Sequence, residues 1–267
     1  MPTIAFTIIG HNEARLLPTA LESARWADEI VYVDCGSSDD SLQVARRFTD
    51  KVFSQPNRAN LNINKAYAIE QATSDWVFYL DPDEAVPPAL GEEIRAVINA
   101  DPPESAFRLP RRNHFFGRWL RHGGQYPDLQ LRLFKKGKAR FPCVDVHESL
   151  EVDGAIGRLT EAMEHHTCPT TFESLRKMDF YSTFHGELMV RQGLSPTVGM
   201  AVRYMFLKPA GKFVRRYIFK GGFLDGWQGF LQASISSIDF QYRFIKFWQA
   251  SRNQAASGGT DEDTAQP

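Results

Sequence analysis

Four short apolar runs, each ended by a polar turn and separated from the next by a stretch of helical spacing, constrain this chain more than any other feature. Residues 3–9 are almost unbroken apolar and β-branched and stop at Gly10; Leu16, Leu17, Ala20, Leu21 and Ala24 then recur at helical intervals. Residues 29–33 form a second run, closed by Asp34-Cys35-Gly36-Ser37-Ser38-Asp39, whose serines or aspartates can cap a helix holding Leu42, Val44, Ala45 and Phe48. Residues 51–54 read as a third strand, 63–72 as a helix, and 75–80 as a fourth strand running into Asp81-Pro82-Asp83-Glu84. Such alternation predicts an α/β fold with a parallel, doubly wound sheet, whose ligands bind at the carboxyl ends of the strands. Each polar cluster lies at such an end.

Beyond Pro87 the pattern weakens. Residues 90–98 and 172–192 read as helices, 107–109 and 129–134 as strands, and the Arg- and Gly-rich stretch between those strands as a loop. Residues 197–249, rich in aromatic and basic side chains, read as amphipathic helices broken at Pro209 and Gly221-Gly222. The expected organisation is a domain over 1–190, in a regular half (1–107) and a less regular half (108–190). A basic aromatic helical extension over 191–252 and a disordered tail over 253–267 follow. With 43% hydrophobic residues there is material for a large core. Three widely spaced cysteines fit neither a disulfide framework nor a paired-cysteine metal site, which points to a reducing cytosol. No signal peptide opens the sequence, and no run of 18 apolar residues could span a bilayer.

The net charge of −1 conceals segregation: −9 over 1–107, +9 over 108–140, −6 over 141–190, +8 over 191–252 and −3 over the tail. An acidic metal-binding half facing basic segments that attract phosphate or anionic lipid is one reading; a solvated charged surface is the other. Two carboxylates two residues apart at a strand end, Asp81 and Asp83, can share one hard divalent cation, and a metal there would bridge phosphates. Asp34 ends the second strand and Asn12-Glu13 follows the first, so three polar sites converge on one sheet edge.

Gly10-His11-Asn12-Glu13, residues 33–39 and Leu80-Asp81-Pro82-Asp83-Glu84 together resemble the inverting family 2 glycosyltransferases of the GT-A fold. Residues 124–128, 130–134, 146–148 and 223–226 resemble the subgroup containing lipopolysaccharide inner-core glucosyltransferases, so the resemblance spans most of the chain. It implies a GT-A, Rossmann-like, mostly parallel sheet flanked by helices, with 1–107 as the nucleotide-sugar binding half, 108–190 as the acceptor half and a C-terminal helical extension. It implies a hexose, glucose above all, moved with inversion from a nucleotide-diphosphate donor, UDP-glucose, to a saccharide or glycolipid acceptor. Carried over by residue, Asp34 would accept from the uracil edge, and Ile9, His11 and Glu13 would line the nucleoside pocket. Asp81 would face ribose and metal, Asp83 would hold Mg²⁺ or Mn²⁺ against the diphosphate, and Lys65 would assist. Glu148 is the candidate general base, with Asp145 and Asp128 behind it. His166, ahead of His165, is the candidate further metal ligand. Zinc fits poorly, because Cys168 and these histidines lack a second spaced pair.

Arg108, Arg111, Arg112, Arg118, Arg121 and Arg132 accumulate among Phe115, Phe116, Trp119 and Tyr126. Planar guanidinium groups and aromatic faces suit a phosphorylated saccharide, so Arg112, Tyr126, Asp128 and Arg132 are the expected acceptor contacts. The loop matches no RNA motif, and nucleic acid is not an expected partner. The segment 203–246 fits peripheral contact with an anionic membrane, on the cytoplasmic face of the inner membrane, and equally fits packing on the core or an oligomer interface. Three rivals share these residues: a transferase for another cell-surface glycan or a protein acceptor, an Asp-x-Asp phosphatase, and a silent nucleotide-sugar binding module.

Overall fold

The computed structural model describes residues 1–58, 60–143, 149–168 and 170–258. These form two compact units, one of 1–113 with 127–167 and the other of 114–126 with the chain from Cys168 onward.

In chain order the first unit holds β1 (Ile4–Gly10), α1 (Leu17–Ser23), β2 (Glu29–Asp34), α2 (Ser41–Ala45), β3 (Val52–Ser54), α3 (Leu61–Gln71), β4 (Trp76–Leu80), β5 (Glu84–Ala85), α4 (Pro88–Asn99) and β6 (Ala106–Phe115). The last two residues of β6 pair with β7 (Arg118–Trp119) inside the second unit. Then come β8 (Asp128–Lys135), β9 (Ala139–Arg140), β10 (Glu151–Val152), β11 (Ile156–Arg158) and β12 (Met163–Cys168). The sheet order is β3-β2-β1-β4-β8-β6-β12-β5, with β11 beside β6 and β9-β10 a separate pair.

β1 is buried along its whole length, which explains its unbroken apolar sequence: a central strand covered on both faces has no polar side to alternate with. Ile4, Phe6 and Ile8 face one cluster with Leu17, Leu21, Leu90 and Ile94, while Ala5 and Ile9 face another with Val31, Val33, Ala68 and Ile69. Phe6 stacks on Phe78 with ring centroids 4.8 Å apart. The parallel expectation holds for β3, β2, β1 and β4. Beyond β4 the sense is mixed: β8 runs antiparallel to both β4 and β6, and β12 antiparallel to β5, while the three-residue β11 lies parallel to β6. Antiparallel neighbours need no crossover helix, so the regular alternation that announces parallel strands is missing from this half. The register pairs Gly10 with Asp34 and Ile8 with Leu80, bringing the ends of β1, β2 and β4 to one edge.

The second unit is helical. α5 (Thr171–Arg191) opens on a capping box between Thr170 and Glu173 and belongs here, not with the domain that the sequence reading ended at 190. Gly186 explains part of this: a Cβ there would lie 2.7 Å from the backbone nitrogen of Phe247, so α5 meets the helix that carries Phe247 backbone to backbone. α6 (Val198–Val202) and α7 (Lys208–Val214) are joined by a wide π turn at Arg203–Leu207, and a second one, Arg215–Phe219, extends the same run. The expected break at Pro209 is therefore corrected; the turn ahead of the proline widens and accommodates a residue with no N–H to give. The break comes at Gly221, whose φ of 68° favours glycine, and a 3₁₀ turn Gly222–Asp225 leads into α8 (Gly226–Gly258). Helix α8 thus overruns the start of the expected tail at 253; residues 259–267 lie outside the described residues. Among the described residues no helix is long and apolar enough to cross a membrane.

Candidate active site

The edge of β1 and β2 is knitted by side chains that the turn sequences supply. Asn12, at φ 58°, takes the backbone N–H of Ser38 on its Oδ1 at 2.8 Å, and its own N–H donates to Ser37 Oγ at 2.9 Å. His11 Nδ1 lies 2.9 Å from the carbonyl oxygen of Cys35, and the N–H of Glu13 donates to Ser41 Oγ. Beneath this lid Asp34 is 2% exposed. Its Oδ2 accepts the N–H groups of Gly36 and Ser37 at 3.0 and 2.9 Å, while its buried Oδ1 has no hydrogen-bond partner among the described residues. A buried acceptor without a donor is costly, so such an atom is a natural place for a ligand N–H. Ile9, expected in the nucleoside pocket, is buried in the core cluster beside Val33.

The end of β4 is built differently. Lys65 Nζ lies 3.0 Å from Asp81 Oδ1, and Arg132 Nη2 lies 2.8 Å from Asp81 Oδ2. Burial pushes the Asp81 carboxyl up, but the Lys65 ammonium and the Arg132 guanidinium overcome this and hold it well below the usual carboxylate range. Arg132 also reaches Glu84 Oε1 at 2.6 Å, and Arg111 reaches the same oxygen at 2.9 Å. Glu84 Oε2 accepts the backbone N–H of Asp81 at 3.1 Å, so one buried carboxylate ties both arginines to the Asp81 turn. Arg132 further lies over the Tyr79 ring at 4.0 Å. The expectation that Arg132 contacts an acceptor is corrected: it is 2% exposed and its charge is spent on Asp81 and Glu84. Glu84 and Arg111 were absent from the expected site. The available signal was Arg132 itself, a charge flanked by Leu131 and Leu133 in a strand, which must be paired if it points inward.

Asp83 Oδ2 lies 3.4 Å from His165 Nε2. Asn113 donates through Nδ2 to Asp128 at 3.0 Å, which turns its Oδ1 toward His165 Nδ1 at 2.6 Å. With Nδ1 turned to the Asn113 amide oxygen, Nε2 is the ring nitrogen that faces the Asp83 carboxylate. Sequence reasoning preferred His166, which meets Asp83 through its backbone, N–H to carbonyl oxygen at 2.8 Å; strand alternation puts the neighbouring ring on the Asp83 side instead. Among the described residues no three His, Cys, Asp or Glu side chains form a ready metal cage.

Of the expected acceptor contacts, Arg112 pairs with Glu164 at 2.9 Å. Asp128 accepts from Arg111, Asn113 and Gln130. Burial raises its carboxyl, and the Arg111 charge together with these hydrogen bonds brings it below its ordinary value. Tyr126 belongs to the second unit, edge-on to Trp119 at 5.3 Å. Glu148 and Asp145 lie outside the described residues.

Residues 6–167 match the model of glycosyl transferase family 2. The chain is 28% identical over 252 residues to the lipopolysaccharide core biosynthesis glycosyltransferase LpsC of Rhizobium meliloti strain 1021, covering 92% of this chain and 90% of that protein. It is 27% identical to an uncharacterized glycosyltransferase, RT0209, of Rickettsia typhi, over 96% and 91% of the two chains. Among solved structures, S. aureus TarS 1–349 in complex with UDP-GlcNAc aligns with a TM-score of 0.50 at 12% identity, over 96% of this chain and 92% of that one, a likeness of fold. With the sheet order and the polar turns at its carboxyl edge, these matches establish a GT-A fold and displace the phosphatase and silent-module readings: the chain belongs to glycosyl transferase family 2 and is a glycosyltransferase.

Proposed function

We propose that the protein moves a hexose, glucose on the sequence resemblance, from a uridine diphosphate donor to a lipopolysaccharide core saccharide, inverting the anomeric centre. The observation that carries the donor is Asp34: a buried carboxylate oxygen with no partner among the described residues, held by two backbone N–H bonds to its other oxygen, matches the N–H of a nucleobase edge. The acceptor class rests on the likeness to LpsC across nine-tenths of both chains.

Asp83 and His165 fit a divalent cation, since a carboxylate oxygen and an imidazole nitrogen, both usual ligands of such ions, lie 3.4 Å apart. Mg²⁺ or Mn²⁺ bound there would neutralise charge on the departing diphosphate. Lys65 and Arg132 balance Asp81, so the turn offers the donor a site whose negative charge rests mainly on Asp83. Glu148 is the proposed base, taking the acceptor hydroxyl proton as its oxygen attacks the anomeric carbon from the face opposite the nucleotide. The enzyme would work in the cytoplasm, with a peripheral hold on the membrane that carries the acceptor.

Incubation with UDP-hexoses and core saccharides, with the product linkage read by NMR, tests this. An α-linked donor should yield a β-linked product, and Glu148→Gln should lose transfer by about 10²- to 10⁴-fold. An α-linked product would overturn the inverting assignment, and undiminished turnover in the variant would remove Glu148.

A further inference from the structure

The helical run from Val198 to Phe219 is apolar on its outer face as well as on its inner one. Its inner residues, Met200, Tyr204 and Met205, pack beside Phe244 and Phe247 of α8, and Lys212 turns toward Asp239 of the same helix. Its outward positions recur at intervals of three and four and carry Val202, Phe206, Leu207, Val214, Ile218 and Phe219, all exposed, with Phe206 at 67% and Phe219 at 81%. Arg203 and Arg215 share that outer face. The 3₁₀ turn that follows adds exposed Phe223 and Leu224, and α8 begins with Trp227 at 76% exposure. A solvated helix would place polar side chains at these positions, and so many large apolar side chains exposed at helical spacing mark a contact surface.

Charge selects the occupant. From residue 188 to 224 the sequence has seven Lys and Arg and no Asp or Glu. A second copy docking through this face would set cation against cation, whereas an anionic lipid surface meets the arginines with phosphates and takes the aromatic and aliphatic side chains below them. We propose that this face of the second unit, Val202 to Trp227, lies in the interface of an anionic phospholipid bilayer, with Phe206, Phe219 and Trp227 inserted and Arg203 and Arg215 at headgroup level. This deepens the membrane contact in the proposed function, but it requires neither the donor nor the acceptor assigned there.

The test is flotation of the full chain with phosphatidylcholine vesicles and with vesicles containing phosphatidylglycerol, without nucleotide sugar or saccharide, so that failure here is separate from failure of the transferase reading. The wild type should float with the anionic vesicles and progressively less as salt rises. Arg203→Gln and Arg215→Gln should each weaken that partitioning about fivefold, and Phe206→Ser and Phe219→Ser about tenfold or more each. Because all four side chains point outward, circular dichroism should show unchanged helix content. Wild-type protein that stays unfloated with anionic vesicles, or serine variants that float as well as wild type, would overturn the proposal. So would a stable dimer in sedimentation that Phe219→Ser dissociates, which would assign the face to a second copy.

Discussion

Asp34 and Asp81 stand at the ends of two strands that flank β1 on opposite sides, yet their carboxylates are treated in opposite ways. Asp34 is held on one oxygen by two backbone N–H groups, and its other oxygen is buried without a partner among the described residues. Asp81 has a cation on each oxygen, and one of those cations is itself tied to buried Glu84. The same residue type at equivalent places is thus held differently: one aspartate keeps an acceptor oxygen without a partner among the described residues, where the proposed function seats the base, and the other is a fixed member of a charged support under the turn that carries Asp83. Solvation explains why both persist, since an unpaired buried acceptor and a fully paired buried charge are each tolerated only when something else completes or compensates them.

Substitutions can break this contrast. Asp83→Asn should cost the most in function, about 10³-fold in transfer, with the thermal midpoint hardly changed, because Asp83 belongs to the presented group and not to the support. A large loss of stability instead would merge the two roles. Arg132→Met should leave Glu84 and Asp81 undercompensated and destabilise the first unit by about 3–5 kcal/mol, a fall of roughly 10 °C in thermal midpoint; a midpoint near wild type would mean that the pairing contributes little. Asp34→Asn keeps one oxygen for the Gly36 and Ser37 N–H groups but sets an amide donor where the bare oxygen stood. It should weaken UDP binding about tenfold while leaving folding nearly intact.

The smallest effect should appear with pH. Because the Asp81 carboxyl is held below its unfolded value, its contribution to stability is complete above roughly pH 4 and is lost as pH falls below that point. Urea unfolding followed downward through this window should show a shallower loss in Arg132→Met, where one of the two cations that hold Asp81 ionised is gone. Equal slopes in the two proteins would show that Arg132 does not govern that carboxyl.

How far these roles could be read from the sequence follows from the range of each interaction. β1, β2 and β4 were legible because a strand buried on both faces must be apolar throughout, and the turns at their ends carry Asp34, Asp81 and Asp83 within two or three residues of the strand. α3, α4 and α5 were legible from spacing to within a few residues. Strands of two or three residues, such as β5, β9 and β11, have too few positions to show any period. The support under Asp81 joins residues 27 to 51 positions apart, Glu84 with Arg111 and Asp81 with Arg132, and local pattern has no access to such pairs. The choice between His165 and His166 depended on the phase of β12 relative to Asp83, which only the pairing of that strand reveals.

Calorimetric titration of the full chain with UDP and with GDP, each with Mn²⁺ and with EDTA, bears most directly on the donor site. Binding of UDP in Mn²⁺ that collapses in EDTA, and that exceeds the binding of GDP, is the expected result. Absence of UDP binding in Mn²⁺, or equal binding in EDTA, would contradict the assignment of Asp34 to the base and of Asp83 and His165 to a cation holding the diphosphate.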